Sequence, residues 1–482
     1  MYPEPCFRFS KMVLKGHSKN RKDRVRVQLA AKSESSCHVR DIMNPNRFSL
    51  LLAALLLATA AFAPAAGAAT SVGAAQVDAI YPDIEKLYID LHRNPELAFH
   101  EQRTAATLAA RVKALGFDVT AGVGGTGVVA ILKNGPGPVV MLRTELDALP
   151  IEEKTGLAFA SIATTKNDAG ETVPVSHMCG HDLHMSAWVG TAELMAKNRE
   201  RWHGTLMLVG QPAEEIVAGA TAMIRDGLFT RFPKPDYALG MHDEMSLPAG
   251  VIGFHPGYFR ANSTGLDMTV YGKGGHGAYP QNAIDPVVIA ARIVLGLQTI
   301  VSRENDPNDP AVITVGSIHG GSASNIIPDQ VKLQITVRSL DPAVQKRLLA
   351  AIARVAKGEA LTANAPKEPL IETKSNTDAV YNDPELTQRM VAAARAALGA
   401  DRVVEMPAQM GGEDFSQFGL AGVKAVLLHV GAVDAAKLEA SHKSGIPLPG
   451  VHSPLWAPVR EPTIKAAIGA ETAILMDLMK SS

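Results

Sequence analysis

Thr205-Leu206-Met207-Leu208-Val209-Gly210 runs without a break into Gln211-Pro212-Ala213-Glu214-Glu215, and this stretch decides the fold class. Thr205–Val209 reads as a strand, and it delivers two adjacent carboxylates at its end. Upstream, Val128–Leu132 and Val139–Arg143 are β-rich runs separated by the turn signal Asn134-Gly135-Pro136-Gly137. Leu183–Lys197 has the apolar spacing of a helix, and Tyr237–Gly240 reads as a further strand. Strands alternating with helices, with polar residues gathered at strand ends, predict an open α/β sheet. Ligands of such sheets sit beyond the carboxyl ends of the strands.

Further out, residues 78–116 read as helical, with Asp78 as candidate N-cap and Gly116 as candidate C′ residue. Pro82 and the turn at Asn94-Pro95 predict an interruption, hence two helices. The stretch from 258 differs. Leu266–Tyr271, Ala311–Ile318, Val331–Ser339 and Leu370–Lys374 read as strands, and Asp285–Arg303 and Pro342–Lys357 as helices. The order β-α-β-β-α-β is the split βαβ, or ferredoxin-like, unit. It predicts a separate domain over 258–377 inserted into an α/β domain that spans 75–257 and resumes over 378–482. In the last segment Val423–Val430 reads as a core strand stopping at Gly431, and Thr463–Lys480 as a closing helix.

At 482 residues the chain is long enough for two domains. A hydrophobic share of 46% and a charged share of 20% fit a globular protein, and a net charge of −1 gives no footing for nucleic acid or an anionic membrane surface. Phe48–Ala63 is an apolar run with Arg47 before it and Ala66-Gly67-Ala68 after it, the pattern of a secretory signal. A membrane span needs about 20 apolar residues, so no span is expected once the signal is cleaved. A start at Met43 gives a signal peptide over 43–68, and the basic, aperiodic residues 1–42 read as a non-native or disordered upstream extension. The expected location is periplasmic or secreted. Cys6 and Cys37 precede the cleavage site, so the mature chain keeps one thiol, Cys179, and no internal disulfide.

That thiol sits in His177-Met178-Cys179-Gly180-His181-Asp182. Thiolate, imidazole and carboxylate suit zinc and its first-row neighbours. Cys179 and His181, two apart at a helix start, can face one ion, and a helix N-terminus favours thiolate; otherwise His181 caps the helix. Glu214 and Glu215 would repel unless a cation lies between them or one is protonated; otherwise they form a solvated loop pair. One carboxylate can hold metal while the other moves a proton. His242, after its strand, offers a third arm or a satisfied core imidazole. His452 offers another ligand or a surface loop residue, and Asp147 either orients a ligand imidazole or caps a turn. Gly272-Lys273-Gly274-Gly275-His276-Gly277 fits no phosphate loop and reads as glycines that expose His276. Asn325 and Arg338 supply an amide and a cation suited to an oxyanion or carboxylate, or else are a loop residue and a strand-surface residue.

Taken in order, His-Met-Cys-Gly-His-Asp at 177–182, Gln-Pro-Ala-Glu-Glu at 211–215, Gly-Met-His at 240–242, Gly-Gly-His-Gly at 274–277, Asn-Ile-Ile-Pro-Asp at 325–329, Gly-Gly-Glu-Asp-Phe at 411–415 and His-Ser-Pro at 452–454 give a resemblance. The chain resembles the dinuclear-metal amidohydrolases that include bacterial N-acyl-amino-acid hydrolases, hippurate hydrolases and plant auxin-conjugate hydrolases. Aminoacylases and glutamate carboxypeptidases are more distant. The resemblance covers residues 78–480. It implies two divalent ions (Zn, Mn, Co or Ni) on Cys179, His181, Glu215, His242 and His452, with Asp147 behind a ligand. It implies Glu214 as general base, taking a proton from a metal-activated water and passing it to the departing amine. It further implies that the insert is a dimerisation lid, that His276 reaches the partner subunit's active site, and that Asn325 and Arg338 lie near the substrate carboxylate or the oxyanion. Glu413 and Asp414 match a motif without an assigned role. The expected activity is hydrolysis of small N-acyl amino acids to a carboxylic acid and an amino acid. The alternatives are a metallo-carboxypeptidase or dipeptidase on the same site, a cysteine hydrolase using Cys179, and a non-catalytic periplasmic metal-binding protein.

Overall fold

A computed structural model of the chain describes residues 73–480. The expected signal at 43–68, the segment 1–42 and the thiols Cys6 and Cys37 lie outside the described residues.

The fold is mixed α/β around one large mixed sheet. Its eight strands lie in the order Asp118–Val123, Gly127–Asn134, Gly204–Gln211, Val139–Glu145, Tyr237–Pro248, Lys424–Val433, Ile252–Phe254 and Val403–Glu405. The middle four, Gly204–Gln211 to Lys424–Val433, run parallel to one another. Gly204–Gln211 is buried along nearly all its length, as a parallel strand covered on both faces must be. Helices Ala74–Arg93, His181–Lys197 and Arg460–Leu478 cover one face with a core that includes Ile84, Leu142, Trp188 and Ile468. Met141, Met207, Phe415 and Phe418 belong to the core on the other face.

A second, antiparallel sheet has the order Ala311–His319, Gln330–Ser339, Asn262–Tyr271, Leu370–Thr377. Helices Pro286–Thr299 and Pro342–Thr362 share its core with Leu266, Leu333 and Ile352. Asp-Pro opens each helix. The Asp285 and Asp341 carboxylates accept from Val287 N and Ala343 N, and proline follows at the first helical position. Burial alternates along Gln330–Ser339, which puts every second side chain on the helix-covered face. The chain leaves the large sheet along Gly257–Arg260 and returns along Val380–Asn382, and these two stretches pair as an antiparallel ribbon.

Four boundaries differ from the expectations. The first helix begins at Ala74 after Gly73, so Asp78 is no cap; it pairs with Lys465 at 2.8 Å. Pro82 does not interrupt that helix. It lies on the solvent face, where the Asp78 carbonyl that loses its donor is open to water. The strand at Tyr237 continues to Pro248, so His242 lies within a strand and not after one. The strand at Lys424 passes Gly431 and ends at Val433, because a glycine there lets the Pro248 carbonyl approach to 2.1 Å of where a Cβ would be.

Trp188 ties the helix His181–Lys197 to the large sheet. It is 1% exposed, and its indole N–H donates to the Leu142 carbonyl at 3.1 Å. Trp188→Ala should lower stability by about 3–5 kcal/mol through cavity formation. Trp188→Phe should cost about 1 kcal/mol through loss of that one bond. Denaturant unfolding of both variants checks the ranking, and equal losses would contradict it.

Candidate metal centre

The parallel strands bring their polar ends to one place. Asp147 follows Val139–Glu145, Glu214 and Glu215 follow Gly204–Gln211, and His242 projects from Tyr237–Pro248. The helix His181–Lys197 starts among them, with Cys179 just before it. Gly180 makes the turn at φ 74°, and a Cβ on it would lie 2.5 Å from Asp243 Oδ2, so no side chain fits there. The Gln211–Glu215 turn is held by Glu101, whose carboxylate accepts from Ala213 N at 2.9 Å. Gly219 crosses so close that a Cβ would fall 1.5 Å from the Pro212 oxygen. His452 arrives on a loop with φ 66°, its amide donating to the Met178 carbonyl at 2.6 Å.

These turns converge six donors. Cys179 Sγ lies 3.5 Å from His242 Nε2. His181 Nε2 lies 3.8 Å from Glu214 Oε2 and 3.9 Å from Glu215 Oε1, and His452 Nε2 lies 3.3 Å from Glu215 Oε2. Three groups of donors come close enough to share an ion: Cys179, His181 and His242; Cys179, Glu215 and His452; His181, Glu214 and Glu215. Two of the three imidazoles are turned to the centre by their far nitrogens. His181 Nδ1 donates to the Asp147 carbonyl at 2.8 Å, and His242 Nδ1 to the Asp243 carbonyl at 2.8 Å. The Asp147 carboxylate accepts from Glu215 N at 2.9 Å, so this one residue braces two of the six.

The donor set fits a divalent transition metal on direct grounds. His181 Nε2 and Glu215 Oε1 are buried and have no hydrogen-bond partner. Unpartnered buried polar atoms are costly unless an ion or water completes them. A thiolate, three imidazoles and carboxylates are the ligands that zinc, manganese, cobalt and nickel accept. Without a cation, burial and the Glu215 charge push the Cys179 thiol up, against the pull of the helix N-terminus. Burial, then Glu413 and Glu215, push the Glu214 carboxyl up as well. Burial also opposes ionisation of Glu215, but the hydrogen bond from His452 together with the charges of His181 and His452 outweighs it, so this carboxyl stays below its usual range.

Beneath the donors lies a network that the sequence reading did not find. Arg143 is fully buried and pairs with Glu145, with Glu413 at 2.9 Å and with Asp414 at 3.1 Å. Its Nε donates to Gln211 Oε1 at 2.9 Å, and Gln211 Nε2 donates to Asp414 at 2.7 Å. Glu145 in turn accepts from His184 Nδ1 at 3.0 Å, and His184 Nε2 accepts from Asp243 N at 2.7 Å. This places Glu413 and Asp414, the motif residues without a role. The available signal was an arginine inside a buried strand, which requires carboxylate partners.

An open cavity of about 430 Å³ faces the donors. Cys179, Glu214, Glu215, His242 and His452 form one wall. Arg338 and Ser263, cross-strand neighbours on the second sheet, lie on the other. His276 and Asn325 are not brought to this cavity. They lie on a short ribbon, Gly275–His276 against Ile326–Ile327, with His276 exposed and Gly277 N donating to the Asn325 carbonyl at 2.7 Å.

Comparison with known proteins agrees with this geometry. N-acetyl-L-cysteine deacetylase of Bacillus subtilis (strain 168) is 35% identical over 333 residues, covering 68% of this chain and 75% of that protein. Hippurate hydrolase of Campylobacter jejuni is 38% identical over 280 residues, covering 57% of this chain and 69% of that protein. Among solved structures, a dinuclear metal binding peptidase of Bacillus subtilis from the M20 family superposes with a TM-score of 0.68 at 27% identity, covering 82% of this chain and 98% of that one. The profile of peptidase family M20/M25/M40 matches residues 141–448, which include five of the six donors, and the chain therefore belongs to that family of metal-dependent hydrolases acting on amides.

Proposed function

We propose that this protein is an exported amidohydrolase that cleaves N-acyl amino acids to a carboxylic acid and an amino acid. The observation that carries the reading is the pair of orphaned buried atoms, His181 Nε2 and Glu215 Oε1, with Glu214 beside them, at the wall of an open cavity that Glu214 and Glu215 line. Cys179, His181, Glu215, His242 and His452 would hold two divalent ions. Bound there, such ions acidify water and polarise a carbonyl. Glu214 is the carboxylate left over for proton transfer: it takes a proton from the attacking water and returns it to the amine that leaves. Asp147 fixes the His181 ring and the Glu215 backbone. Arg338 holds the substrate carboxylate across the cavity. The names of the N-acetyl-L-cysteine deacetylase and hippurate hydrolase relatives support small N-acyl amino acids as substrates.

The second sheet, over 258–377, acts in this reading as a ferredoxin-like lid through which two subunits pair, with the catalytic domain over 75–257 and 378–482. His276 and Asn325 lie on that lid away from their own cavity, which suits a role in the partner's site at the developing oxyanion. The segment 43–68 serves as export signal, which would leave the enzyme periplasmic or secreted, and 1–42 would not belong to the mature chain.

Three outcomes test the roles. Glu214→Gln should lower turnover of an N-acyl amino acid by about 100- to 10,000-fold while metal content by mass spectrometry stays at the wild-type level. Near-normal turnover would remove Glu214 from the reaction. Cys179→Ala should lose at least one equivalent of metal and most activity, and Cys179→Asp, still an anionic ligand, should keep more of both. An acyl group trapped on Cys179 during turnover would show a nucleophile instead. Finally, His276→Ala and Glu214→Gln proteins, each nearly inactive alone, should recover roughly a quarter of wild-type activity as mixed dimers, since half the dimers are mixed and half of their sites are intact. Mixed dimers without recovered activity would place His276 outside the partner's site.

A further inference from the structure

The cavity contains a second guanidinium beyond Arg338. Arg260 ends the ribbon Gly257–Arg260 and lines the same space as the donors. Neither arginine is ion-paired among the described residues; Arg338 donates to the Met410 carbonyl at 2.7 Å. Arg260 is anchored by neutral acceptors alone. Its Nη1 donates to Gln409 Oε1 at 3.1 Å and faces His429 Nε2 at 3.4 Å, and its Nη2 donates to the Gly412 carbonyl at 3.2 Å. Glu413, an acid that feels its charge, is already held by Arg143.

The remaining edge of the group has a specific shape. Arg260 Nε is buried with no partner. A Cβ on Gly411 would lie 2.9 Å from Nη2 and 3.5 Å from Nε, so a side chain at position 411 would occupy the space beside this edge. Nε–H together with the adjacent Nη2–H is an edge on which a guanidinium takes a carboxylate in two parallel bonds. A partly buried cation with an unfilled donor edge is stabilised by an anion far more than by a neutral amide.

We propose that Arg260 is a specificity residue that binds a second carboxylate on the substrate. This rests on the N-acyl-amino-acid reading above, in which Arg338 takes the first carboxylate. Favoured substrates are then dianionic: either an N-acylated acidic amino acid, or an amino acid acylated by a dicarboxylic acid. The competing role is a brace, in which Arg260 only secures the loop from Gln409 to Gly412.

Two isosteric pairs separate these possibilities: N-acetyl-L-glutamate against N-acetyl-L-glutamine, and N-succinyl-L-alanine against its terminal amide. Wild-type enzyme should favour the dianion of one pair in kcat/KM by about 10- to 100-fold, the range of a charge-assisted hydrogen bond, and the pair that shows it identifies which end carries the second carboxylate. Arg260→Gln should bring that ratio near one while the neutral member changes by less than about threefold, and Arg260→Lys should keep part of the preference. Calorimetric binding of the same pairs, with Glu214→Gln holoenzyme as host and Arg260 intact or changed, gives the ratio without turnover. No preference for either dianion in turnover or in binding overturns the proposal, and so does an equal fall for both members of a pair in Arg260→Gln. Failure of every compound to turn over would remove the N-acyl reading, and the binding ratios would still decide the role of Arg260.

Discussion

The site depends on one buried cation. Arg143 sits inside the large sheet with three carboxylates around it, and these come from two distant parts of the chain. Glu145 lies on its own strand and passes the contact to His184 on the helix that begins with His181. Glu413 and Asp414 come from a loop about 270 residues further on. Asp414 also accepts from Ala220 N, which fixes the far side of the Glu214 turn. Burying a guanidinium is costly unless every donor is met, and that condition locks strand, helix and loop into one arrangement. His181 opens that helix, and Glu214 and Glu215 follow the strand that ends at Gln211, so the spacing of these candidate donors follows from the polar network beneath them.

Much of the fold was legible because its signals are local. A continuous apolar run ending in Glu214 and Glu215 gave a buried parallel strand and its functional end. The helices expected from Asp285 and from Pro342 begin within a residue of those positions, where an Asp cap precedes a proline, and the strand expected over Val331–Ser339 is found at Gln330–Ser339. The six donors were legible for another reason. Thiol, imidazole and paired acids close to turn residues are rarely explained by packing, and the structure does converge them.

What was not legible depends on partners distant in sequence. Arg260 looks like an ordinary strand arginine until the loop from Gln409 to Asp414 is folded against it, and the buried strand around Arg143 calls for carboxylates without saying which ones. His242 was placed at a strand end because Tyr237–Gly240 is where the apolar run stops. The strand in fact continues through buried His242, Asp243 and Glu244, whose polar atoms are met by His184, Trp456, His429 and Gln409. Polar residues in a buried strand erase the periodicity on which the reading relies. Pro82 misled in the opposite direction: its exposed position cost the helix little.

The ribbon of Gly257–Arg260 against Val380–Asn382 has a geometric consequence. The donors gather at the strand ends of the large sheet and the helix and loop beside them, whereas Arg338 and Ser263 belong to the smaller sheet, and the paired ribbon is the only place where the chain passes between the two sheets among the described residues. The separation between the donors and Arg338 is thus a distance between two sheets and not within one. A residue added to or removed from either ribbon strand would shift one wall of the cavity against the other. The width of the cavity is therefore set in a backbone crossing, apart from the side chains that line it, so that width can change while every lining side chain stays the same.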